Sequence, residues 1–289
     1  MIVSASYRTD IPAFYGDWFR ARLAQGFALV ANPYGGPDYR VALGPKAAEG
    51  FVFWSRNPAP FRPVLEMLAA EARPFVLQFT ITGYARALES AVPDTVAAVK
   101  LLRDLACRFS KRAIVWRYDP ILISDLTLAA WHEKNFARLA AALAGSVDEV
   151  VLSFAQIYAK TGRNLAAAAK RHGFAWRDPG DEEKRALIAR LAERAAENGM
   201  QATICAQPHL VAGPSRPALC IDAARLADVA GRAIAAKAKG NREACACHES
   251  RDIGTYDSCP QGCAYCYAVR DPAKAKARLK AHDPAAERL

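Results

Sequence analysis

Along the first 240 residues, short apolar runs rich in β-branched and aromatic residues alternate with longer stretches of helical period. Ile2 to Ser6, Phe27 to Ala31, Phe51 to Trp54, Phe75 to Thr82, Ala113 to Arg117, Glu149 to Phe154 and Gln201 to Cys205 have the length and composition of strands. Between them, Ala13 to Ala24, Arg62 to Ala72, Pro93 to Phe109, Leu128 to Leu143, Glu182 to Asn198 and Asp222 to Lys237 are amphipathic at helical spacing. Asp94 or Pro93 suits a helix start, Asp181 can cap the helix at Glu182, and Gly145 and Gly199 suit helix ends. Parallel neighbours need a crossover, so the β-then-α order predicts a parallel sheet. The expected fold class is α/β, a TIM-type or partial (β/α) barrel. The eighth strand of a complete barrel is not evident, nor is an internal repeat.

Parity within the strands separates two faces. Ser4, Ser6, Arg8 and Asp10 alternate with Val3, Ala5 and Tyr7, while Gln78, Thr80 and Thr82 oppose Leu77, Phe79 and Ile81. Arg117 and Asp119 likewise oppose Trp116 and Tyr118. With the apolar faces against helices, the polar faces line the interior, and charge gathers at the C-terminal strand ends in Arg8, Asp10, Asn57, Arg117 and Asp119. Barrels of this kind place their chemistry there, so these five are candidate catalytic residues. The alternative is structural: Arg8 with Asp10, or Arg117 with Asp119, as ion pairs plugging the interior.

The composition narrows the class. The chain has 289 residues, 52% hydrophobic and 24% charged, which is globular composition and excludes a disordered or low-complexity chain. No window holds the roughly eighteen apolar residues of a membrane span, and Met1 to Asp10 lacks a basic region before an apolar one. A soluble, cytoplasmic protein is expected. The formal charge of +10 favours anionic partners only weakly, because acidic residues are interspersed and the densest basic stretch, Arg270 to Lys280, has the pattern of a solvated helix.

Cysteine is the unevenly distributed residue. Only Cys107, on the expected apolar side of a helix and read as core, precedes residue 200. Cys205, Cys220, Cys245, Cys247, Cys259, Cys263 and Cys266 follow. A chain this long buries a core without disulfides, and clustered thiols in a reducing cytosol bind metal or do redox chemistry. Beyond Gly240 the alternation gives way to a loop-like run, and within it Cys259, Cys263 and Cys266 form C-x3-C-x2-C. Three soft ligands on one irregular loop suit an iron-sulfur cluster, zinc or cuprous copper. Structural zinc sites use four ligands, usually as two separated pairs, whereas this triplet leaves a position open.

The triplet resembles the cluster motif of the radical S-adenosylmethionine (SAM) superfamily, and CPQGCAYCYA is similar to the form in spore photoproduct lyase and its relatives. The resemblance implies a 4Fe-4S cluster on Cys259, Cys263 and Cys266, with SAM on the fourth iron and reductive cleavage to a 5'-deoxyadenosyl radical. It further implies that Arg8 or Arg117 holds the SAM carboxylate. Over nearly its full length the chain resembles an uncharacterised bacterial family, domain of unknown function 1848 (DUF1848), through SASYRTDIPAFYGDWF, FWSRNP, QFTITGY, WRYDPI and DIGTYDSCPQGCAYCYA. That family carries a terminal cysteine cluster similar to the radical SAM one at the opposite end of the chain. Here too the triplet follows the last barrel elements instead of the first strand. A Gly-Gly-Glu segment for the SAM amino group is lacking; Gly35 to Asp38 reads as a plain turn.

Cys205, Cys220, Cys245 and Cys247 make a second set of four thiols, enough for an auxiliary 4Fe-4S cluster. Alternatively, Cys205 and Cys220 are buried small hydrophobes, and Cys245 or Cys247 completes the first cluster. His132 and His172 read as surface or capping residues, His248 as a minor metal-ligand candidate, and Tyr158 and Lys160 as mouth or anchoring residues. The expected organisation is a barrel over 1–240 with a Cys-rich iron-sulfur loop and C-terminal helix over 241–289 packed at its mouth. Two functions fit it: a radical SAM-like enzyme acting on an unidentified small molecule or nucleotide with an electron donor, or a non-catalytic iron-sulfur or zinc protein for electron transfer or nucleic-acid binding.

Overall fold

The computed structural model describes residues 1–32, 35–240, 242 and 244–289. Eight parallel strands form one sheet: β1 (Ile2–Ser4), β2 (Gly50–Ser55), β3 (Phe75–Thr80), β4 (Ile114–Ile121), β5 (Glu149–Phe154), β6 (Gln201–Ile204), β7 (Arg216–Pro217) and β8 (Ser250–Asp252). Their spatial order is β7-β6-β5-β4-β3-β2-β1-β8, so each strand lies beside its neighbour in the chain and the last lies beside the first. Among the described residues no ladder joins β7 to β8, and the sheet is open at that seam.

Helices α1 (Gly16–Gln25), α2 (Arg62–Ala70), α3 (Thr95–Phe109), α4 (Ala129–Leu143), α5 (Ala159–His172), α6 (Asp181–Glu197), α7 (Ala223–Ala230) and α8 (Pro272–Lys280) accompany the strands. Local chemistry explains several boundaries. The Asp94 carboxylate accepts from the amides of Val96 and Ala97 at the start of α3, and Gly173 adopts the left-handed conformation that ends α5. One strand face, with Phe51, Phe53, Leu77, Phe79, Trp116 and Leu152, packs against Phe19, Leu65, Leu102, Phe136 and Leu191 of the helices. The opposite face is apolar at one end, where Ile2, Val52, Val76, Val115 and Val151 meet Leu226 of α7. Farther along the strands it becomes polar, with buried Ser4, Gln78, Thr80 and Arg117. The expected parity therefore holds, and α7 covers the end opposite the polar groups.

Six of the seven expected strands belong to this sheet. The seventh, Phe27–Val30, pairs antiparallel with Tyr39–Ala42 in a separate hairpin. The strands that complete the set of eight, β7 and β8, are 2 and 3 residues long, too short to show a period. Because β8 lies beyond residue 240, the sheet draws on both expected segments; Asn241 and Glu243, at their junction, lie outside the described residues. The helix expected over Asp222 to Lys237 ends at Ala230, with Gly231 left-handed, and α5, which carries Lys160 and His172, is a helix beyond those expected. Asp181 lies in the first turn of α6 behind Gly180 as its cap.

Two side-chain expectations are corrected. Cys107 is exposed, because α3 turns Leu102, Leu105 and Ala106 inward instead. His132 is fully buried, 2.9 Å from the Tyr118 hydroxyl and 3.0 Å from the Leu122 carbonyl, and burial lowers its pKa to about 4.

Candidate functional site

The triplet loop is fastened to the sheet's C-terminal ends on several sides. Ala264 N–H donates to Leu88 O at 2.9 Å and Ala91 N–H to Gln261 O at 3.1 Å, so the loop runs beside residues 88–91. Gly262, between the first two cysteines, has φ +71°, and a Cβ there would lie 2.1 Å from Ser90 Oγ. Glycine is required twice over, by backbone conformation and by space. Tyr15 Oη donates to Ser258 O at 2.7 Å, and Gln261 Nε2 donates to Asp10 Oδ2 at 3.0 Å.

The strongest anchor is a buried network around Arg56, just past β2. Arg56 Nη1 lies 2.7 Å from Glu89 Oε1, and Nη2 donates to Tyr265 Oη at 2.6 Å. Thr82 Oγ1 and Tyr265 Oη also donate to Glu89. One carboxylate thus binds the strand end, the loop tyrosine and the guanidinium together. A buried charge is tolerable only with such pairing.

The three thiols lie within electrostatic reach of one another. Burial pushes the Cys263 thiol up to about 12 against the pull of Arg56. Burial also raises Cys266, opposed by the amides of Ala268 and Val269 and by Arg56 and Lys160. The Ala268 amide is 3.3 Å from Cys266 Sγ, and the Gln261 amide donates to Cys259. Burial raises Cys259 as well, so all three thiols are held neutral in the absence of metal, with amide donors and nearby cations opposing that only in part.

The sequence candidates have separate partners. Arg8 pairs with Asp252 of β8, Nε to Oδ1 at 3.7 Å, and not with Asp10. Its guanidinium lies over the rings of Tyr7 and Tyr256, and its buried Nε has no hydrogen-bond partner. Asp10 caps the turn Ile11–Phe14 and accepts from the Arg56 amide at 2.8 Å and from Gln261, so it ties the cysteine loop to the strand ends. Arg117 and Asp119 form the expected ion pair on the inner face; Arg117 also reaches Gln78 Oε1 at 3.1 Å, and Ser153 donates to Asp119. Despite burial, Arg117 and Ser153 hold the Asp119 carboxyl below the usual range. Asn57 stands apart: its side chain accepts from the Ala59 amide within its own turn.

The remaining candidates divide similarly. Lys160 lies 4.9 Å from the Tyr256 ring centre, Tyr158 is exposed, and His248 faces Ile221 O and the Ala223 amide. Sequence reasoning missed Arg56, Glu89, Tyr265 and Asp252. Arg56 was within reach, since it follows the β2 run directly; Glu89 lies in an aperiodic segment without local signal. Among the described residues, no three His, Cys, Asp or Glu side chains surround a single metal-ion position.

Together these observations define an α/β protein whose eight parallel strands end beneath a cysteine-bearing loop. The model of a domain of unknown function, DUF1848, matches residues 2–268, and the chain belongs to that family. The match runs through the whole sheet and ends two residues past Cys266. No curated protein matches the chain. Among the described residues, no helix is long and apolar enough to cross a membrane.

Proposed function

We propose that this chain is an iron-sulfur enzyme of radical SAM type, built on a partial (β/α) barrel, with a 4Fe-4S cluster on Cys259, Cys263 and Cys266. The observation that carries the reading is one loop presenting three mutually coupled thiols, supplied with amide donors, over the polar strand ends. Three cysteine ligands leave one iron for a small molecule. The bound cluster supplies one electron for cleavage of the SAM sulfonium.

The chain's own residues divide the remaining work. Arg8, whose buried Nε makes no hydrogen bond and stands 3.7 Å from Asp252, is less tightly engaged than Arg117 and better suited to hold an anionic group such as the SAM carboxylate. Arg56, Glu89, Tyr265 and Asp10 position the loop. Gln78, Arg117, Asp119 and Ser153 hydrogen-bond one another on the inner face and are the polar groups a small-molecule or nucleotide substrate would meet there. Burial of this face limits competing reaction with water.

The test is anaerobic reconstitution of the full chain. Loss of about four irons with matching sulfide in Cys263→Ala relative to the native chain, and 5'-deoxyadenosine formed from SAM under a strong reductant, are the expected results. Zinc held by the triplet without iron, or iron without SAM cleavage, overturns the proposal.

A further inference from the structure

The sheet's open seam lies between β7 and β8, and the other four clustered cysteines gather around it. Cys205 directly follows β6, Cys220 lies three residues past β7, and Cys247 lies three residues before β8. Cys220 Sγ is 3.4 Å from Cys205 Sγ. Cys247, on the other side of the seam, lies within electrostatic reach of Cys220 and Cys245. The four sulfurs thus gather from both sides of the seam.

The backbone crosses with it. Ile221 N–H points at Cys247 Sγ at 3.3 Å, and His248 N–H donates to Ile221 O at 3.0 Å. Arg117 Nη1 lies 3.0 Å from Cys220 Sγ. The four thiols gather beside a guanidinium without yet surrounding a single metal-ion position, and apolar packing alone does not require that gathering. Four soft donors with a charge partner are a complete ligand set for a soft metal, and none of the four is tied up in a disulfide.

We propose that Cys205, Cys220, Cys245 and Cys247 form a second metal centre, a closed tetrathiolate site for zinc or an auxiliary iron-sulfur cluster, which staples the seam between β7 and β8. On binding, four S–H groups release their protons to solvent as four sulfur–metal bonds form. The metal draws the four sulfurs together around one centre and links segments that the hydrogen-bond ladder leaves unjoined. Arg117 and the Ile221 amide offset the thiolate charge. All four protein ligands are used, so this centre has no open position and its role is structural or electron-transferring.

Metal analysis of the full chain, purified without oxygen, separates this proposal from the previous one. Cys220→Ala should lose one zinc or about four irons while retaining the triplet's complement; Cys263→Ala should do the reverse. Where Cys220→Ala fails to fold, Cys245→Ala, at a half-buried position of the quartet, serves instead. Chelation should lower the thermal midpoint of the Cys263→Ala chain and leave a folded quartet variant unchanged. Full metal content in the quartet variants overturns the proposal. So do quartet thiols that alkylate freely in metal-reconstituted chain, or a mass two hydrogen atoms lighter from a Cys205–Cys220 disulfide.

Discussion

The two sulfur groups are built in opposite ways. Cys259, Cys263 and Cys266 share one loop, whereas Cys205, Cys220, Cys245 and Cys247 are collected from beside three strands across 205–247. The triplet's position depends on polar attachments to its surroundings, above all the Arg56, Glu89 and Tyr265 network. The quartet's position depends on the sheet, because Cys205 directly follows β6 and Cys220 lies just past its neighbour β7. A locally built site can be detached while its frame survives; a site built from the frame cannot. The difference should appear in which substitutions damage which sulfur group.

The largest effect is expected at Arg56. Arg56→Met leaves Glu89, 3% exposed on its side chain, without its cation. Removing one partner of a buried pair costs ~3–5 kcal/mol. Urea unfolding should show that loss, and reconstitution should show iron lost from the triplet while metal on the quartet persists. Equal loss from both groups would break the contrast. Arg56→Met combined with Glu89→Gln should recover part of the stability, because the second change removes the stranded charge.

How much of this was legible follows the same division. The triplet could be read at once, since its spacing is local. Strands β1, β3 and β4 were legible because polar and apolar positions alternate along each with a clear parity. The two strands that make the sheet eightfold were not: Arg216–Pro217 and Ser250–Asp252 are held by register against neighbours and contain no periodic signal of their own. The quartet was visible only as a set of cysteines, because its contacts depend on those strands. Asp252 illustrates the point: it accepts from Ser6 Oγ at 2.8 Å and pairs with Arg8, so the expected partner Asp10 was displaced by a residue 242 positions farther along.

Acid tests whether weakness on the triplet side extends into the frame. Tyr84 packs edge-on against both Tyr265 of the loop and His132 of α4. An unfolded histidine takes up a proton near pH 6.5, while buried His132 does so near 4. The unfolded state therefore binds more protons between these values, and stability falls as pH drops from 6.5 to 4. The full difference is ~3 kcal/mol by linkage. Urea midpoints of metal-free chain at pH 7 and 4.5 should show the wild type losing more stability than His132→Asn. An equal loss in both proteins would remove His132 as the cause.

The smallest change is expected at Gly262, where it isolates the loop most cleanly. Gly262→Ala imposes a side chain at φ +71° and brings its Cβ to 2.1 Å from Ser90 Oγ. The backbone term is ~1 kcal/mol, and the overlap adds to it unless Ser90 moves. Gly262→Ala with Ser90→Ala removes that oxygen and should leave only the backbone term. Iron retention by the triplet should fall in the single variant and recover partly in the double, while metal on the quartet stays constant in both. No recovery would mean that backbone strain alone governs the loop. A parallel loss from the quartet would mean that the two sulfur groups are coupled through the strand ends, and that the loop is not a separable attachment.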